Sequence, residues 1–294
     1  MKIKKTFDMK LFNIVAYTVI GFFGLITVVP FLMLLASSFA TEHDIIHYGY
    51  TLIPRDLTFD AYVLVFKEPA VILRAYAVTV SLTLAGTILS LFISSMAAYV
   101  LFRKDVKHRN KLSFFLYFTT LFNGGLASFY IIIRNHLHLG DTYMVLLLVH
   151  MFNVVFILIL RSFMQGSLHD SLLESARIDG AGDFTIFLKI VLPLSKPALA
   201  TIGLFTGLAY WNDWWTPMLF VDNKNLFPLQ YVLYRVLSSA ESARNIVNAP
   251  VAIDSPKESL KLALTVISTG PIVLLYPFLQ KYFVKGIMIG AVKG

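Results

Sequence analysis

Glu174-Ser175-Ala176-Arg177-Ile178-Asp179-Gly180, followed after nine residues by Ile190-Val191-Leu192-Pro193, sits in a charged gap between long apolar segments. Leu168, Leu172, Leu173 and Ala176 recur at helical spacing, which predicts a short amphipathic helix. Asp179-Gly180-Ala181-Gly182 breaks that helix, with Gly180 free to take a left-handed turn. A second helical piece is expected over 184–191, with Phe184, Phe187, Leu188 and Val191 as its apolar face. Pro193 and Pro197 then end it and launch the next apolar segment. Two short helices in an L, with a carboxylate and small residues at the corner, make a compact knob. Such a knob suits insertion into a groove on a soluble partner, and an all-apolar bundle has no need of one.

Six segments outside and around this block are long enough to span roughly 30 Å of hydrocarbon as helices. They run over Asn13–Ser38, Ala75–Phe102, Leu112–Ile133, Thr142–Leu160, Ala198–Val221 and Leu262–Lys281. A mean hydropathy of +0.72 over 294 residues agrees, and the expected class is an all-α integral membrane protein with six transmembrane helices. With the N-terminus inside, the inner segments (1–12, 103–111, 161–196 and 281–294) hold 16 of the 25 basic residues and only 6 of the 17 acidic ones. By the positive-inside rule both termini and the Glu174 block are cytoplasmic. The net charge of +8 therefore reflects topology and lipid contact. No basic patch is interleaved with aromatics, so nucleic acid is not an expected partner. The absence of cysteine excludes disulfides and thiolate chemistry. Lys2, Lys4 and Lys5 precede an apolar run as in a signal peptide, but that run is about 25 residues without a small-residue cleavage site, so a retained first helix is expected.

The connecting segments differ in character. In the first outer loop, 39–74, Thr58 precedes a capped amphipathic helix over Phe59–Phe66. The second outer link, Arg134–Asp141, is short. The third, Asp222–Glu258, reads as a long loop with Pro228, Pro250 and Pro256, ordered by a partner or by packing. Helix two is rich in Thr79, Ser81, Thr83, Thr87, Ser90, Ser94 and Ser95. Its Ser90/Ser94/Ala98 spacing favours close helix packing over a lining role. Asn123-Gly124-Gly125 should kink helix three, and Pro271 and Pro277 helix six.

In the cytoplasmic block the chain resembles the inner-membrane permease subunits of ABC importers. Their motif in this loop is Glu-Ala-Ala, three residues, Gly, nine residues, Ile, one residue, Leu-Pro. Glu174, Ala176, Gly180, Ile190, Leu192 and Pro193 stand at that spacing, and Ser175 replaces the first Ala of the pair. The resemblance implies a type I importer permease fold, with residues 71–283 as the core and 165–197 as its coupling loop. Residues 1–70 are then an added tail, first helix and outer loop, and 284–294 a cytoplasmic tail. Pro54, Thr58 and Tyr62, the run Asp179-Gly180-Ala181, Leu192 through Pro197, and the ending Gln280 through Gly294 look most like maltose-type carbohydrate permeases in the second-permease position. The resemblance implies a transporter subunit with no cofactor of its own. ATP and Mg would be bound by two partner subunits docked on the coupling loop. A second, homologous permease subunit, an extracytoplasmic sugar-binding protein and the lipid of a prokaryotic inner membrane complete the implied set. For Lys285–Gly294 two readings stand: contact with the ATP-binding subunits, or a basic end held by anionic lipid.

Candidates for reading a substrate cluster at Tyr210-Trp211-Asn212-Asp213-Trp214-Trp215. Flat aromatic faces suit the C–H faces of sugar rings, and Asn and Asp suit hydroxyls. An ionisable residue in a span marks a pathway, whereas tryptophan also gathers at membrane interfaces. Trp211 and Asp213 are the pathway candidates, with Trp214 and Trp215 assigned to the interfacial belt. His150 and Asn153, three apart and expected on one helix face, could line the same conduit with Asn123. A hydrogen-bonded packing histidine is the alternative reading of His150. His43 and His47 have metal-ligand spacing without a third ligand, so no metal site is assigned. No catalytic carboxylate pair, nucleophile–base arrangement or phosphate loop is present, and the chain is not expected to be an enzyme.

Overall fold

The computed structural model describes residues 7–245 and 258–274. The described residues are almost wholly helical, with no strand among them and a single isolated bridge between Ala40 and Leu57. The chain forms two compact units, residues 1–69 with 236–270 and residues 70–235 with 271–294.

In the first unit, α1 (Phe7–Ser37) is apolar round its whole circumference and exposed along its length, the pattern of a lipid-facing span. The expected outer loop is more ordered than its polarity suggested. It contains α2 (Glu42–Tyr48), capped by Thr41 Oγ1 accepting from the Asp44 amide at 3.2 Å, and α3 (Asp60–Val65), whose first amide donates to Thr58 Oγ1 at 3.1 Å. A helical segment over 258–274 begins on a cap supplied from α2. Glu42 carboxylate oxygens accept from the amides of Glu258 and Ser259 at 3.0 Å, placing an anion at a helix N-terminus. The expected sixth span runs beyond this segment, and Pro277 and the 284–294 tail lie outside the described residues.

The second unit is built on α4 (Pro69–Phe102), whose 34 residues exceed a bilayer's hydrocarbon thickness. Part of its hydroxyl stripe is packing, while Thr83 and Thr87 line a groove. Thr79, Ser90, Ser94 and Ser95 are buried, and Ala98 is fully so. After α4 come α5 (Arg109–Leu121), α6 (Gly125–Ile131, extended by a π turn Ile132–His136), α7 (Tyr143–Met151) and α8 (Val154–Ser167). The charged block gives α9 (Asp170–Ile178), α10 (Asp183–Ile186, extended by a π turn Phe187–Val191) and α11 (Leu192–Leu194). The remaining helices are α12 (Lys196–Trp211), α13 (Trp215–Phe220) and α14 (Leu229–Asn245).

Three expected spans are broken rather than continuous. The third bends by 113° between α5 and α6, a sharper break than a kink, because Gly125 takes φ +85° there. The fourth bends by 44° between α7 and α8, and the fifth stops at Trp211 and resumes only at Trp215. Two uninterrupted helices, Asp8–Ser37 and Pro69–Phe102, are long and apolar enough to cross a membrane among the described residues, and three bent pairs could each make one more span. The third outer segment is not a loop throughout. Leu229, Val232, Leu233, Val236 and Leu237 recur every three to four residues and form α14 behind Pro228. Its first amide donates to buried Thr79 Oγ1 at 2.8 Å.

One contact sets how closely α4 and α12 approach. The backbone of Gly86 lies against the Tyr210 ring, so a Cβ at 86 would fall well inside contact distance of the ring carbons. Tyr210 is buried, and its hydroxyl donates to Leu147 O at 2.6 Å, so the ring has nowhere to move. Gly86→Ala should therefore destabilise the protein by about 2–3 kcal/mol. Gly24→Ala in α1, where a Cβ meets nothing, is the control. The thermal midpoint in detergent should fall for the first and not for the second.

Candidate functional site

The elbow consists of two short helices separated at Gly180. α9 carries Glu174, Ser175 and Ala176 and ends at Asp179. Gly180 turns the chain at φ +80°, and α10 starts after Gly182. Within the corner, the Ala181 amide donates to Ala176 O at 2.9 Å and the Asp179 amide to Ser175 O at 3.0 Å. Of the expected second apolar face, Phe187 and Val191 are buried, while Phe184 and Leu188 are exposed. The elbow thus has an inner and an outer side. On the inner side Leu173, Ile186, Phe187 and Val191 join Tyr99 and Phe102 of α4, Leu160 and Met164 of α8 and Ile202 of α12 in one apolar plug. Phe187 lies 5.7 Å from the Tyr99 ring and 5.9 Å from the Phe92 ring, centroid to centroid. On the outer side Ile178 is 86% exposed and Phe184 57%, large apolar groups that a solvated surface would not favour without a partner. Ile190, Leu192 and Pro193 run from the π turn into α11. Pro193 does not end the helical path, which instead bends by 80° at Ser195 before α12.

Charges tie the elbow to the segment after α4. Arg103 forks onto Asp105, its Nε donating to Oδ1 at 2.9 Å, and its Nη1 lies 2.6 Å from Asp183 Oδ2. Arg177 Nη2 donates to Asp105 Oδ2 at 3.2 Å. The hydrogen bond from Arg103, more than any other influence, holds the Asp105 carboxyl down to about 2. A carboxyl whose folded pKa is depressed stabilises the fold above its unfolded value and loses that contribution as pH falls through the folded one. A spin label replacing exposed Phe184 should therefore keep its mobility from neutral pH down to about 4 and gain mobility only as pH approaches about 2.

The expected pathway residues divide. His150, Tyr210 and Asp213 come together. His150 Nε2 lies 3.1 Å from Asp213 Oδ2, close enough for an ion pair though outside good hydrogen-bond geometry, and the His150 ring meets Tyr210 edge-on at 5.4 Å. Asp213 Oδ1 also accepts from the Thr216 amide at 3.0 Å, starting α13. Asn153 does not share a helix face with His150, because the helix ends at Met151. Asn153 caps α8 instead, its Oδ1 accepting from the amides of Val155 and Phe156 at 3.0 and 3.3 Å. Asn123 Oδ1 accepts from the Gly125 amide at 2.8 Å in the break of the third span. Asn212 is exposed, and its Nδ2 donates back to Leu208 O at 3.0 Å. Trp211 is buried and lines an apolar groove of about 670 Å³ with Thr83, Thr87, Gly203 and Gly207. Trp214 stacks on Tyr234 at 4.5 Å and meets Trp215 edge-on at 5.7 Å. The His150–Asp213 pair was accessible to a charge-balance argument, since a carboxylate in an apolar span calls for a partner. Among the described residues no group of three or more His, Asp or Glu is placed to hold a metal.

Broken apolar helices joined to a charged, partly apolar elbow define a membrane permease. The chain belongs to the family described as binding-protein-dependent transport system inner membrane component, which matches residues 10–289. It is 38% identical over 286 residues to the polygalacturonan/rhamnogalacturonan transport system permease protein YtcP of Bacillus subtilis (strain 168), covering 97% of this chain and 99% of that one. It is 31% identical to the arabinooligosaccharides transport system permease protein AraQ of Halalkalibacterium halodurans (strain ATCC BAA-125 / DSM 18197 / FERM 7344 / JCM 9153 / C-125), over 93% and 94% of the two chains. A crystal structure of a bacterial ABC transporter involved in the import of the acidic polysaccharide alginate contains a chain that superposes with a TM-score of 0.81 at 29% identity, covering 96% of this chain and 100% of that one. The protein is accordingly an inner-membrane ABC permease subunit of the type I fold, a transporter component and not an enzyme. Its family works with a partner permease, ATPase subunits and a binding protein.

Proposed function

We propose that this chain forms half of a translocation path for oligosaccharides bearing uronic acids, and that two ATP-binding subunits drive it through the elbow from Glu174 to Pro193. The elbow carries the reading: Ile178 and Phe184 stand exposed on either side of a Gly180 corner at φ +80°, a rigid apolar knob that a soluble groove would cover. ATP and Mg are held by those partners, and closure of their grooves on residues 174–182 rocks the broken spans between inward-facing and outward-facing states. Differential contact in the two states is what shifts that equilibrium. The excess of basic residues in 1–12 and 103–111 supports a cytoplasmic elbow and cytoplasmic termini, with 161–196 itself balanced between basic and acidic residues.

The cargo class is supported by YtcP and by the alginate importer, whose named substrates are acidic. It is also supported by Arg74 and Arg235 beside residues 222–227, whose partners there are uncharged, while Arg134 is balanced by Asp222. Arg134 Nη2 donates to Asp222 Oδ2 at 2.6 Å, Arg74 donates to Asn225, and the Arg235 guanidinium lies 5.1 Å over the Phe227 ring. We place this segment at the outer mouth, where a loaded binding protein would dock. Tyr210, His150 and Asp213 flank the path, with Trp211 beside them. Proteoliposomes holding the complete transporter, with binding protein outside and ATP inside, should accumulate labelled trigalacturonate in preference to a neutral arabino-oligosaccharide. Preferential uptake of the neutral sugar would reverse the cargo reading, and uptake of a peptide or amino acid instead would assign the same machine a non-sugar solute.

A further inference from the structure

Three consecutive residues after α4 reach the elbow at separate points. Lys104 pairs with Asp170 in the first turn of α9. Asp105 meets Arg177 in the last turn of α9, 3.2 Å away, and Arg103 meets Asp183 at the first position of α10, 2.6 Å away. Arg177 closes the ring with Asp183 at 3.6 Å. Both ends of α9 and the start of α10 are therefore held by one short turn, although that turn is more than sixty residues away in sequence. Arg103 is the central member. Its side chain is 15% exposed, and its guanidinium lies 5.7 Å over the Tyr99 ring, which is itself 5.7 Å from the Phe187 ring.

The elbow is joined covalently to α8 and to α12, and these are the paths by which force would ordinarily leave it. We infer that, beside the apolar packing of Phe187 on Tyr99, the Arg103-Lys104-Asp105 turn is a polar link to α4, a brace that makes α4 move with the elbow when an ATPase partner displaces it. This inference rests on the elbow being the ATPase dock. Single exposed pairs are worth little, but pairs sharing members act as a network, and this one spans the corner whose rigidity matters. Because α4 packs on Tyr210 through Gly86, motion passed to α4 reaches the neighbourhood of His150 and Asp213. Arg103 is a positioning residue on this account: it touches neither cargo nor nucleotide.

The test uses the complete transporter in proteoliposomes and reads cargo moved per ATP hydrolysed. Arg103→Gln should retain the ATPase subunits and hydrolyse ATP at about the wild-type rate, with cargo per ATP falling about fivefold, within the range of ordinary coupling energies. Arg103→Lys keeps a cation facing both Asp105 and Asp183 and should hold cargo per ATP to within about twofold of wild type. A purely structural role would lower yield, hydrolysis and transport together and leave the ratio alone. Should Arg103→Gln fail to assemble, Asp105→Asn, which is half-exposed, reads the same ratio. An unchanged ratio in assembled Arg103→Gln, or an equal fall in Arg103→Lys, overturns the brace. If Gly180→Pro transports normally, the elbow is not the dock and both readings fall together.

Discussion

Gly180→Pro should abolish ATP-driven uptake, by at least about a hundredfold, while leaving part of the complex assembled. Gly180 sits at φ +80°, whereas proline is locked near about −65°, so the corner cannot be kept. Nothing lies within 4 Å of where a Cβ at 180 would point. The defect is therefore in backbone angle and not in crowding, and Gly180→Ala should show a milder form of it, of about 1 kcal/mol. The apolar plug around Phe187 and Val191 lies beyond the corner and should still anchor α10. The expected signature is an ATPase that still co-purifies but no longer responds to loaded binding protein. Uptake at the wild-type rate would remove the elbow from the mechanism.

His150→Leu should be among the most destabilising substitutions in the spans. The Asp213 side chain is 9% exposed, and His150 Nε2 lies 3.1 Å from its Oδ2. Removing one member of a buried pair leaves the other uncompensated, at a cost of about 3 kcal/mol or more. Converting both, in His150→Leu with Asp213→Asn, removes the charge but keeps a side-chain oxygen for the Thr216 amide. The double variant should recover more than half of the loss in thermal midpoint. Equal destabilisation of single and double variants would mean that packing against Tyr210, and not charge, is what His150 supplies.

The elbow was legible because its information is local. Helical spacing in 168–176, one glycine and a proline define it without reference to the rest of the chain. Gly180 duly takes the left-handed turn that only its lack of a Cβ makes cheap. The break at Asn123-Gly124-Gly125 was legible for the same reason. The breaks at Asn153 and Asn212–Trp214 were not, since neither carries glycine or proline and hydropathy runs straight through them. The helix α14 was hidden by Pro228, Pro250 and Pro256, which drew attention to turns and away from the periodicity between them. Nor could spacing reveal the ring of Arg103, Asp105, Arg177 and Asp183, because it joins segments that only the folded chain brings together. Within the expected pathway set, Tyr210 also packs against Gly86, Asp213 lies beside His150, and Asn123 and Asn153 also start helices.

Those starters bear on the cost of interrupting a span. Each interrupted span resumes on an acceptor carried by the interruption itself: Asn123 for the Gly125 amide, Asn153 for Val155 and Phe156, Asp213 for Thr216. A bare helix end in hydrocarbon would expose orphan amides, and swinging it would be prohibitive without water or a neighbour to satisfy them. Each acceptor satisfies one or two of the amides that a helix start leaves without an intrahelical partner, which lowers the cost of a break at that point in a span.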